Sequence, residues 1–316
     1  MTILCKNCNT ELPDTATTCY KCGTLQNGAE NRFSKQINLE SNSNMEVISQ
    51  LGNYAVYEHK QDLSCDDNYI SSYFAKEMNV RRRQLLVTLN GGAVKVQAGA
   101  MQWMFGDVVS ETGLGSGVQA VGNLIKGAVA SMVTKESAVK PIYKGIGLLM
   151  LEPTYKNIIL EDVSSWGEDG VVLDDSIFLA CDSQLKEKVV ARQNLSSAFG
   201  GKGIFNLCLS GHGIAALECP IPRNELIEFT LNDDTLKIDG NMAVMWSKSL
   251  DFTVERSSKS LIGSMVNKEG LVNVYRGTGK VLMAPTISGT LMKEGFNEQA
   301  NAVKGPLDGY AHSLTR

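Results

Sequence analysis

From residue 46 onward, short apolar runs alternate with breaks at Gly, Asp and Asn, which predicts β-strands joined by tight turns. The runs recur in a fixed order. Residues 94–104 (VKVQAGAMQWM), 171–181 (VVLDDSIFLAC) and 236–246 (LKIDGNMAVMW) share one pattern, an apolar-x-apolar pair, a small polar turn and a second apolar run. Val94, Val171 and Leu236 correspond, as do Val96, Leu173 and Ile238, with Gly99, Ser176 and Asn241 in the turn. A second unit, read as a hairpin, follows each at 147–161, 203–219 and 270–285. The fold expected is an all-β, sandwich or barrel-like body at 46–316, built from a threefold repeat at about 86–161, 162–220 and 221–290.

Two stretches break the strand texture. Residues 106–140 interrupt the first repeat, and within 117–133 Val118, Val121, Leu124, Ile125, Ala128, Val129 and Met132 recur at helical spacing. That stretch is expected to pack within the protein or an oligomer, with attachment to a membrane surface as the alternative. Residues 25–45, rich in Asn, Ser, Gln and Glu, predict a flexible linker.

Ahead of the linker the pattern is metal chemistry. Cys5, Cys8, Cys19 and Cys22 have the spacing C-x2-C-x10-C-x2-C. Each CxxC turn aims two sulfurs at one ion, and four thiolates complete a tetrahedral Zn²⁺ shell with no open position. Asn9 and Gly23, just after each pair, tolerate the left-handed backbone such turns use. Residues 1–24 are too few to bury a core, so a structural zinc ion is expected to supply the folding energy. The remaining cysteines, Cys65, Cys181, Cys208 and Cys219, sit in apolar segments and read as buried reduced thiols.

Composition narrows the function classes. The formal net charge of −4 argues against a whole-chain electrostatic grip on nucleic acid. No signal-peptide pattern or membrane-length apolar run is present, so a cytoplasmic protein is expected. His59, His212 and His312 lack neighbours that would make a triad or metal triplet, and His212 sits between glycines in a turn. Gly200–Gly203 and Gly277–Val281 miss the phosphate-loop spacing and read as hairpin turns. The pairs Asp66-Asp67, Asp174-Asp175 and Asp233-Asp234 read as turn residues. Arg81-Arg82-Arg83 reads as a solvated strand edge, with Tyr69, Tyr73 and Phe74 nearby as a weak basic-aromatic surface.

The body resembles the altered-inheritance-of-mitochondria protein 24 family through residues 91–104, 140–153, 170–180, 200–217, 236–255 and 269–286. The Gly99–Met101 and Gly277–Val281 turns carry the most specific part. The resemblance implies a fold like that of the tryptophan RNA-binding attenuation protein, occurrence in oligomers, and no established catalytic residues. The reading that follows is a non-enzymatic scaffold or binding protein whose ribbon engages a protein partner. It leaves room for a homo-oligomer. Nucleic-acid binding through the ribbon and Arg81–Arg83, or membrane-surface contact through 117–133, are the alternatives.

Overall fold

The computed structural model describes residues 2–5, 9–13, 19, 37–61, 69–78, 80–111, 140–174, 177–191, 205–239, 242–256 and 271–286. The N-terminal strands β1 (Thr2–Leu4) and β2 (Glu11–Pro13) pair only with each other among the described residues. A hairpin, β3 (Met45–Leu51) and β4 (Tyr54–His59), leads to the helix α1 (Tyr69–Glu77). Next come β5 (Arg83–Val96), β6 (Met101–Glu111) and β7 (Ile142–Leu151). They are followed by β8 (Asn157–Asp162), a 3-10 turn at Val163–Trp166, β9 (Val171–Leu173), β10 (Phe178–Asp182), β11 (Lys186–Ala191), β12 (Phe205–Ser210) and β13 (Ile214–Cys219). The last set is β14 (Ile227–Asp239), β15 (Ala243–Ser247), β16 (Asp251–Arg256) and β17 (Leu271–Met283).

These strands make a nearly all-β body of two large antiparallel sheets. One runs β3-β4-β5-β10-β13-β8, with β7 on β5 and β6 on β7. The other runs β11-β12-β9-β15-β17-β14, with β16 on β17. The apolar runs LLVTL in β5 and LLML in β7 are nearly continuous because both faces of that sheet are covered. Leu85, Val87, Leu149 and Leu151 face the interior with Tyr54 and Ala180. Leu86, Leu148 and Met150 face the other way, against Tyr57, Trp103 and Phe105.

One wiring recurs three times. β7 lies between β5 and β6. β13 and β12 lie between β8 and β9 on one side and β10 and β11 on the other. β17 lies between β14 on one side and β15 and β16 on the other. The closing hydrogen bonds match as well: Glu152 N donates to Ala100 O, Glu218 N to Ile177 O, and Ala284 N to Met242 O, at 2.7, 2.7 and 2.8 Å.

The central strand of each set carries Gly-x-Gly, at 145–147, 211–213 and 277–279. The first glycine has φ of +131°, +110° and +111° in turn, a conformation that a side chain strains. At the second, a Cβ would collide with the Phe105 carbonyl, approach Asp182 Oδ2 to 3.0 Å, or approach Ser247 Cβ to 2.7 Å. The glycines lie within β7, in the link between β12 and β13, and within β17, and only the second of these carries the chain from one sheet to the other.

This wiring corrects several sequence expectations. The three segments read as hairpins are not hairpins. β12 and β13 join different sheets, β17 is one long strand, and β7 and β8 do not pair with each other. A Gly-x-Gly between two apolar runs resembles a hairpin turn locally, and only the distant partners show that the flanking runs do not pair with each other. Asp233-Asp234 is likewise a bulge inside β14 rather than a turn, with Asp233 at φ +57° and its N–H donating to Thr278 Oγ1.

Residues 37–44 of the expected flexible linker are held in place. Ile37 and Leu39 pack on the Tyr57–Leu86 cluster, and Asn44 exchanges two hydrogen bonds with the Gln61 backbone. Polar composition hid this, because asparagine side chains substitute for backbone partners in turns. Residues 106–111 of the expected insertion continue β6. The helical stretch 117–133, Cys65 and His312 lie outside the described residues.

Candidate metal centre and buried polar cluster

The described part of the ribbon brings two of the four cysteines together. Cys5 and Cys19 are buried together against Leu12 and Ile3. Asn9 N–H donates to Cys5 O at 3.0 Å, Cys5 N–H donates to Thr10 O at 2.8 Å, and Asn9 takes φ +55°. The chain therefore turns back tightly after Cys5, as expected from the CxxC spacing. Soft sulfur donors on such turns fit zinc. Cys8 and Cys22 lie outside the described residues.

The body holds a second cluster that sequence reading missed, where β10 meets β5 and β4. Asp182, at the end of β10, is buried. Its Oδ1 accepts from Tyr54 Oη at 2.9 Å, and its Oδ2 accepts from Ile214 N–H at 2.8 Å. Burial pushes the Asp182 carboxyl up to about 6, although both hydrogen bonds pull the other way. Tyr54 is raised by burial and by the neighbouring Asp182 charge.

Beside this pair, Glu187 on β11 bridges two lysines, Lys140 at 2.9 Å and Lys95 at 3.1 Å. Burial opposes ionisation of Glu187, yet the two ammonium groups hold its carboxyl below the ordinary range. Lys95 also donates to Leu185 O at 2.7 Å, and Lys140 lies over the Phe178 ring. Cys181 is raised by burial first and then by Glu187, which keeps it a protonated thiol and a poor nucleophile. Cys208 and Cys219 are also buried thiols raised by burial. The cluster ties β4, β5, β10, β11 and the start of β13 together by internal bonds. A pattern that could have flagged it is the Gly-x-Gly series, since Gly213 leaves the room that Asp182 fills.

The remaining candidate residues are scattered. His59 meets buried Gln84 at 2.7 Å, and Gln84 donates to Gln102 Oε1 and Leu151 O. His212 is an exposed turn residue. The three arginines do not form a solvated strand edge, because β5 starts between β4 and a bridge to Thr154. Arg83 pairs with Glu58 at 2.8 Å, Arg82 donates to Tyr155 Oη and lies over its ring, and Arg81 donates to Lys60 O. Tyr73 and Phe74 are exposed on α1. Among the described residues no helix is long and apolar enough to cross a membrane.

Known proteins match both parts of the chain. A family model described as mitochondrial biogenesis AIM24 matches residues 77–286, and a zinc-ribbon domain model matches residues 4–25. An uncharacterized protein of Streptococcus pyogenes serotype M6 is 30% identical over 196 residues, covering 61% of this chain and 76% of its own. The crystal structure of a Streptococcus pyogenes protein is 24% identical, with a TM-score of 0.49, over 70% of this chain and 94% of that one. With the family model spanning most of the β body, this chain belongs to the mitochondrial biogenesis AIM24 family and carries a zinc-ribbon segment ahead of it.

Proposed function

We propose that the protein is a non-enzymatic scaffold or binding protein of the cytoplasm. The β body is its frame, and the ribbon, closed on zinc by Cys5, Cys8, Cys19 and Cys22, is an adaptor for a protein partner. The observation that carries this reading is the burial of Cys5 and Cys19 together, with Cys5 leading into a tight turn. Four thiolates leave a zinc ion no position for substrate, so the metal shapes a surface instead of performing chemistry. In the body, the buried ionisable groups support the same reading. Both oxygens of Asp182 and the carboxylate of Glu187 are engaged in bonds that join strands.

The test is affinity capture with three forms of the chain: intact, lacking residues 1–36, and Cys5→Ser/Cys19→Ser. The reading expects one set of protein partners on the intact chain that disappears with both altered forms. Partners that persist without the ribbon overturn the adaptor role. Retention on RNA or DNA that weakens steeply with salt would redirect the assignment to nucleic acid.

A further inference from the structure

The β3–β4 hairpin is fastened differently at its two ends. At the open end Arg83 pairs with Glu58 at 2.8 Å, Gln84 meets His59 at 2.7 Å, and His59 N–H donates to Arg82 O at 2.9 Å. Beyond the β4–β5 ladder, the turn end is held by Thr88 N–H donating to Asn53 O at 2.8 Å and by Tyr54 Oη donating to Asp182 Oδ1 at 2.9 Å. Among the described residues β3 pairs only with β4, and it lies beside β8 without strand hydrogen bonds to it. Val47 and Ile48 on β3 are exposed. Lifting the turn end therefore breaks strand pairing to β5 alone. Beneath it, Tyr54 and Val56 cover Val87, Val94 and Ala180, with Leu51 packed at the margin.

The charge balance at the turn end is unusual. Asp182 is buried, and both its partners, the Tyr54 phenol and the Ile214 N–H, are neutral donors. Among the described residues no lysine or arginine pairs with it. The cations of the neighbouring strands, Lys95 and Lys140, are held by Glu187. The other groups facing Asp182 are the Cys181 thiol, kept protonated by burial, and the Asp162 carboxyl, whose charge opposes that of Asp182. A buried carboxylate without a cation is costly, and the cost falls when water reaches it. Lifting Tyr54 admits that water. With a proton on Asp182, by contrast, the 2.9 Å contact persists with the carboxyl as donor and the phenol as acceptor.

We propose that the turn end of the β3–β4 hairpin, Leu51–Val56, is a lid on this core, hinged at Glu58–Arg83, closed with a proton on Asp182 and loosened when that proton leaves. Closing takes up the proton and opening releases it, while the rest of the body stays folded, as in other local openings. The opening constant then rises about tenfold per pH unit between the ordinary aspartate value near 3.9 and the closed-state value of about 6, and levels off above it. The lid is a conformational device of the body and is independent of the ribbon's role.

The test is hydrogen exchange of the full-length chain from about pH 4.5 to about pH 7.5, read amide by amide and divided by the intrinsic rate at each pH. The backbone amides of Leu51–Val56 are expected to exchange faster than those of β13 at every pH, with an opening constant that grows roughly twentyfold over the range. Tyr57 and Glu58, at the hinge, should stay protected with β13. Asp182→Asn should abolish the rise, whereas His59→Gln should leave it in place. Tyr54→Phe removes the latch and should raise the opening of Leu51–Val56 roughly tenfold while β13 remains protected. Two results overturn the proposal: exchange of Leu51–Val56 with the same constant as β13, which means opening only by global unfolding, or an opening constant that does not change with pH. A rise that persists in Asp182→Asn overturns it as well. Thermal melts of each variant separate a loosened lid from lost folding.

Discussion

Tyr54 and Asp182, 128 residues apart, share a buried 2.9 Å hydrogen bond that joins the N-terminal hairpin to the strand on the far side of β5. The phenol donates, so the bond is made best to an ionised carboxylate. Burial works against that ionisation and raises the carboxyl to about 6.

This raised value fixes a pH slope. The folded chain binds the Asp182 proton more tightly than the unfolded chain does. This group's contribution to stability is therefore full below the unfolded value near 3.9 and is lost as pH rises through about 6. The expected loss is on the order of 3 kcal/mol. Urea denaturation between pH 4 and pH 7 should show it, and Asp182→Asn should flatten the slope.

Glu187 acts in the opposite sense. Its folded value is lowered, so its contribution is present above the unfolded value near 4.3 and fades as pH falls through the folded one. Glu187→Gln should destabilise the body by roughly 1–3 kcal/mol at pH 7 by leaving Lys95 and Lys140 without their shared carboxylate. The deficit should shrink in acid. A deficit that stays constant with pH would show that the ion pairs contribute little.

Tyr54→Phe removes the donor and keeps the ring. Asp182 then holds a single backbone bond, and a loss of about 1–3 kcal/mol is expected in equilibrium unfolding. The Asp182 carboxyl should titrate at a still higher pH, which carboxyl chemical shifts would report.

Gly147→Ala should be far more costly than Gly99→Ala. At Gly147 the new methyl group would collide with the Phe105 carbonyl, whereas at Gly99 it enters open space and the cost is the strained φ of +82°. The expected loss is about 1–2 kcal/mol at Gly99 and more than that at Gly147. Comparable melting temperatures for the two variants would contradict the close approach.

Chelation addresses the ribbon. Removing zinc should release one equivalent of metal, unfold residues 1–24 and leave the thermal transition of the β body nearly unchanged. Cys5→Ser/Cys19→Ser should reproduce the effect without a chelator. A large shift in the body's transition would show that the ribbon docks on it.

The sequence by itself determined what short-range chemistry dictates. The C-x2-C-x10-C-x2-C spacing specifies four thiols on two tight turns, and Asn9, just after the first pair, takes the left-handed backbone such a turn uses and donates back to Cys5 O. Apolar runs split by Gly, Asp and Asn gave the all-β character, because strand formation follows residue pattern. Only the tertiary structure decided which strands meet. Phe205–Ser210 and Ile214–Cys219 read locally as a hairpin, yet their hydrogen-bond partners lie in different sheets. The same limit hid Asp182 and Tyr54, two ordinary polar residues in sequence. The physical reason is that strand pairing and burial depend on groups far apart along the chain, whereas turns and metal ligands depend on neighbours.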